Sequence, residues 1–193
     1  MKPMAALLSV TMCWGAIAVA DEPRAAALPV EMQVTPASGV LPDAPVIDQF
    51  GKTMRFREAV GDGAYVLSFT YTRCTEICGM ADLYLSDIAE RRAALPAPVR
   101  LVTLTLDPAR DRPADLLERH QIFDSPDNWL RLTGDPADIM PLLTRLGVWD
   151  GTPLEDHKLY VIVGHAGRQQ MARLEASPLL PDQIYDLAVR LMQ

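Results

Sequence analysis

Cysteine is scarce in this chain, with three copies among 193 residues, at positions 13, 74 and 78. That leaves nothing from which to build a stabilising disulfide framework, because a bridge between neighbours four residues apart closes a very short loop and adds little. Histidine is as rare, with three copies, so each can be weighed alone. No internal repeat, phosphate-binding glycine loop, dinucleotide-binding glycine pattern or heptad occurs. Basic charge is also short: 18 Lys and Arg stand against 25 Asp and Glu, a formal charge of -7. The balance excludes a nucleic-acid partner and suits a basic or metal-loaded one. A composition of 49% hydrophobic and 22% charged residues excludes wholesale disorder and supports one well-cored domain.

What is present begins with a targeting signal. Lys2 is followed by an apolar run over 4–19 and the small-residue pattern Ala18-Val19-Ala20, which predicts a signal peptide over 1–20 and export to the periplasm, with membrane attachment if the signal is retained. Residues 21–41, rich in Ala and Pro, read as a flexible tether with one edge strand near Val30 to Val34. The domain proper is expected over 42–193. Loss of the leader removes Cys13 and leaves Cys74 and Cys78 alone, in a compartment that oxidises thiols unless a metal or a reductase holds them.

Ala64 to Tyr71 is dense in aromatic and β-branched residues and reads as a buried strand running directly into Cys74 and Cys78. If a helix starts there, both sulfurs share one face of its first turn, where the helix N-terminus favours thiolate. Ahead of the strand, Pro42 to Phe56 reads as a β-hairpin turning at Gln49 to Lys52, followed by a short helical piece. After it come a helix over 80–94, a strand from Val99, a helix led by Pro113, a strand at Trp129, and a helix from Asp135 to Gly147 that contains Pro141. A strand from Leu159, a hairpin turn at 164–168, a returning strand to Leu174 and a last helix over 181–192 complete the chain. The alternation, with a cysteine pair between first core strand and helix, predicts an α/β fold: a thioredoxin-like central sheet flanked by helices with an N-terminal β-hairpin extension.

A Cys-x-x-x-Cys pair suits either redox exchange or a soft metal, and thiolates select Cu(I) or Zn(II), which calls for a third ligand. His120, on a helix, is expected to face solvent or pack, and His165, between glycines in a turn, to be exposed. His157 closes a long loop at the start of a core strand, the point of such a sheet that approaches the cysteine turn, and is the candidate ligand. Met80 is expected in the core, with an approach to the metal as a weak ligand as the alternative, and Trp129 and Trp149 as packing residues, Trp149 shielding the site.

The blocks Ser68-Phe-Thr-Tyr-Thr-Arg-Cys-Thr-Glu-Ile-Cys, Thr105-Leu-Asp-Pro-Ala-Arg-Asp-Arg-Pro, Leu132-Thr-Gly-Asp-Pro and Asp156-His-Lys-Leu-Tyr-Val-Ile resemble the Sco/SenC family of thioredoxin-like copper chaperones of cytochrome c oxidase assembly. The resemblance runs from about Pro42 to Leu174. It implies Cys74, Cys78 and His157 as ligands of Cu(I) or Cu(II), and delivery of copper to an oxidase subunit or another copper chaperone. Asp107 matches the family's Asp-Pro motif, with a place behind the ligands or as a turn cap. The chain departs from the family at Thr75, Gly79 and Lys158, and has no methionine-rich copper box. Such a protein is not an enzyme in the strict sense. The rival reading is a thiol-disulfide reductase in which Cys74 attacks and Cys78 resolves; a peroxidase-like or redox-sensing domain gives His157 no role.

Overall fold

The computed structural model describes residues 33–38, 40–74, 78–91, 94–95, 97–176 and 181–192; the expected signal peptide, most of the tether and Cys13 lie outside them. Eight strands form one sheet in the order β1-β8-β7-β4-β5-β6-β2-β3. They are β1 (Gln33–Ser38), β2 (Pro45–Asp48), β3 (Thr53–Arg55), β4 (Ala64–Thr70), β5 (Val99–Thr105), β6 (Trp129–Thr133), β7 (Leu159–His165) and β8 (Gln170–Ala176). Five helices accompany them: α1 (Phe56–Val60), α2 (Cys78–Arg91), α3 (Pro113–Ile122), α4 (Pro136–Arg145) and α5 (Pro181–Met192). This is the thioredoxin-like α/β architecture, with β4, β5 and β6 parallel and joined through α2 and α3.

Every residue of β4 is buried, as a strand covered on both faces requires. The period of two divides it. Tyr65, Leu67 and Phe69 pack with Phe56, Val60, Ile139 and Leu142 of α1 and α4, whereas Ala64 and Val66 pack with Leu85 and Ile88 of α2 and Ile184 and Leu187 of α5. Beneath α2 the carboxylate of Asp82, fully buried, accepts from Arg131 Nη1 of β6 and Arg119 Nε of α3, both at 2.6 Å. Two guanidiniums on one carboxylate satisfy a charge that burial alone would make costly, and they pin the front of α2 to the sheet.

The hairpin β2–β3 turns where expected and adds to the sheet through β6. Two local readings change. The early edge strand lies at Gln33–Ser38, paired antiparallel with β8, later than expected. Gly164 is inside β7 rather than in a turn: a Cβ there would stand 2.3 Å from Tyr65 Oη and 2.6 Å from the Gln170 carbonyl, so this glycine serves a close approach. The turn itself is a 3₁₀ turn Ala166–Arg168 closed by Gln169 at φ 53°. Cys74 and Cys78 flank residues 75–77, which lie outside the described residues, and α2 is described from Cys78 onward.

Candidate metal centre

Strand β4 delivers the chain to a tight turn, 71–74, closed by the Cys74 N–H donating to the Tyr71 carbonyl at 3.1 Å. Each residue of that turn is tied to something different. Thr72 donates from its backbone N–H (3.1 Å) and its hydroxyl (2.5 Å) to the carboxylate of Asp111, which also accepts from the Thr105 hydroxyl at 2.5 Å. Arg73 reaches Asp107 Oδ2 at 3.3 Å. Tyr71 lays its ring edge-on to the His157 imidazole, centroids 5.5 Å apart and planes at 68°. Cys74, half-buried, is disulfide-bonded.

His157 arrives at the start of β7, the antiparallel neighbour of β4. The loop 147–156 ends in a 3₁₀ turn Leu154–Asp156, and His157 caps it in an extended conformation before entering β7. Its ring is buried, and Nδ1 lies 2.5 Å from the Leu154 carbonyl. A carbonyl can only accept, so Nδ1 carries the proton and the neutral ring holds its lone pair on Nε2, the tautomer in which a histidine ligates through Nε2. A hollow of about 230 Å³ opens beside the ring, lined by Trp149, Asp150, Asp156, Tyr160 and Arg173 among others.

The structure therefore brings the Cys74 turn and His157 together through Tyr71. Cys78 is placed by backbone at the N-terminus of α2, and its side chain lies outside the described residues. Among the described residues no three metal-binding side chains converge. The other two histidines lie elsewhere. His120 is buried on α3 against Gln49 Nε2, at 3.3 Å, and Phe50; burial chiefly, with the Arg131 charge, lowers its pKa. His165 is half-buried rather than exposed and pairs with Ala64, at the opposite end of β4 from the cysteines. Met80 is 39% exposed on α2 rather than in the core. Trp129 is fully buried, its indole N–H on Thr103 Oγ1 at 2.9 Å, a packing role as expected.

Asp107 sits in a turn and holds arginines rather than a candidate ligand. Its backbone carbonyl accepts from the N–H groups of Arg110 and Asp111, as a turn does, while its carboxylate, 5% exposed, holds Arg73 and Arg110. Asp111 was missed. Two residues ahead of Pro113, it leaves the capping of α3 to Arg112, whose N–H meets Asp115, and turns inward to hold the cysteine turn. The signal available was the paired acid spacing Asp107-x-x-x-Asp111 opposite a threonine-rich strand end.

Comparison with known proteins agrees with this geometry. The SCO1/SenC family profile matches residues 40–167. The chain belongs to the SCO1/SenC family. A curated relative, the SCO1 protein homolog of Bacillus subtilis (strain 168), is 28% identical over 88 residues, 45% of this chain and 45% of that protein; the match spans less than half the length of that relative. Among solved structures, copper-bound ScoI of Arabidopsis thaliana superposes with a TM-score of 0.68 at 18% identity, covering 80% of this chain and 98% of that one. BsSco, a member of the Sco family of cytochrome c oxidase assembly proteins in which a disulfide switch was identified, gives 0.67 at 20% identity, covering 82% and 96%. At these identities the SCO1/SenC structures establish the shared fold.

Proposed function

We propose that this SCO1/SenC protein is an exported copper chaperone of cytochrome c oxidase assembly. Its reduced Cys74 and Cys78 would supply two thiolates and His157 the Nε2 lone pair, and copper would pass to an oxidase subunit by exchange of one ligand at a time. The observation that carries the reading is the Tyr71 contact: the turn that bears Cys74 is packed against a buried imidazole whose Nδ1 proton is committed to a backbone carbonyl. Soft thiolates with one imidazole suit Cu(I). No helix among the described residues is long and apolar enough to cross a membrane.

The disulfide-bonded state of Cys74 favours a second reading, in which Cys74 and Cys78 cycle as a dithiol and reduce exported cysteines. One experiment separates the two. Copper affinity is measured by competition against a Cu(I) chelator on reduced wild type, oxidised wild type and reduced His157→Ala, alongside disulfide cycling. The chaperone reading expects a loss of at least about tenfold in affinity for His157→Ala, the scale of one lost ligand contact, little binding to oxidised protein, and intact cycling. Unchanged affinity with collapsed cycling gives the site to redox chemistry.

A further inference from the structure

The cysteine turn carries an outward face that the chaperone reading does not use. Arg73 and Arg110 both bond the same oxygen, Asp107 Oδ2, at 3.3 and 3.1 Å, and their side chains are 59% and 60% exposed, against 6% for Asp107. The second carboxylate nearby, Asp111, is 2% exposed and filled by threonine donors. Among the described residues around the turn, Asp107 and Asp111 therefore face inward and Arg73 and Arg110 outward. Each guanidinium has five N–H groups in a rigid fork and gives one to Asp107, so what a partner meets next to Cys74 is a dense field of donors.

We infer that Arg73 and Arg110 form the docking contact for an acidic segment of the protein that exchanges copper or electrons with Cys74. The inference rests on the proposed role of Cys74 as the exchange point, and deepens it by naming the partner's chemistry. The overall charge of -7 suits a basic partner, but beyond about 8–10 Å that field is screened in physiological salt, and at contact the local arginines decide. Carboxylates match the planar fork in pairs. The pair stands on open surface, which suits a segment of a macromolecule. The same net charge opposes broad adhesion to an anionic bilayer.

The test reads thiol exchange and so does not depend on copper. Reduced protein is reacted with a peptide bearing three glutamates beside a cysteine held as a mixed disulfide with a chromogenic thiol, and with its glutamine twin. The protein thiolate bonds the peptide sulfur and the chromophore leaves as thiolate. Wild type is expected to prefer the glutamate peptide about fivefold at low salt, the scale of one contact ion pair in water, with the ratio approaching one at high salt. Arg73→Gln and Arg110→Gln are each expected to lower that ratio; each leaves the other guanidinium on Asp107, so no buried carboxylate is stranded, and the glutamine peptide normalises any change in thiol reactivity. A ratio near one in wild type, or one unaltered in both variants, overturns the inference. Binding to phosphatidylglycerol vesicles that the two variants abolish also overturns it, assigning the arginines to a membrane surface.

Discussion

Asp111 gathers three donors on one buried carboxylate: the Thr72 N–H, the Thr72 hydroxyl and the Thr105 hydroxyl. Its removal strands all three where water cannot easily replace it. Asp111→Ala is expected to cost about 2–4 kcal/mol, since each unsatisfied buried polar group costs about 1–3 kcal/mol and relaxation recovers part. Urea unfolding measures this. Asp111→Asn keeps the shape and one acceptor oxygen, so its copper affinity should lie between wild type and alanine; equal affinity in all three proteins would show that the turn holds Cys74 without Asp111. His157→Ala removes the proposed ligand with one bond inside its own loop and a buried ring packed on Tyr71, and is expected to cost less stability than Asp111→Ala because it strands no cluster of donors.

At the level of strands and helices, the sequence was readable wherever one residue type answers one need. Asp135 followed by Pro136 announces α4 and is its cap, accepting from the Ala137 N–H at 2.8 Å. The apolar run of β4 could only be a doubly covered strand. What escaped was set by distant neighbours. Gly164 has the composition of a turn, and only the ring of Tyr65 lying across it reveals a strand. Gly164→Ala is expected to destabilise by about 1–3 kcal/mol, the range for overpacking, because the new Cβ meets a backbone carbonyl at 2.6 Å as well as the phenol. Thermal unfolding reads it, and a stability equal to wild type would mean that β7 and β8 separate at low cost. The candidate site was legible in the same measure. Cys74 and His157 stand out by scarcity and position, whereas the turn 71–74 and the inward Asp111 depend on pairings across 39 residues that no local pattern encodes.

For the molecule as a whole, acid is the relevant stress. His120 is buried on α3 with its pKa lowered by desolvation first and by Arg131 second, Asp127 opposing in part. The folded state thus resists a proton that the unfolded chain accepts. The sign follows: its contribution is intact above the ordinary histidine pKa of about 6.5 and is lost as pH falls through and below that value. Unfolding free energy measured from pH 7 to 5 should fall more steeply in wild type than in His120→Gln, which stays neutral throughout; parallel curves would mean that another group governs the acid limb.

The tryptophans divide the molecule optically. Trp129 is sealed in the core with its indole N–H committed to Thr103, so its emission reports whether the chain is folded and little else. Trp149 is half-buried in the hollow beside His157. Light from that indole is sensitive to whatever approaches the imidazole, giving the protein an internal gauge of binding at His157 that needs no label.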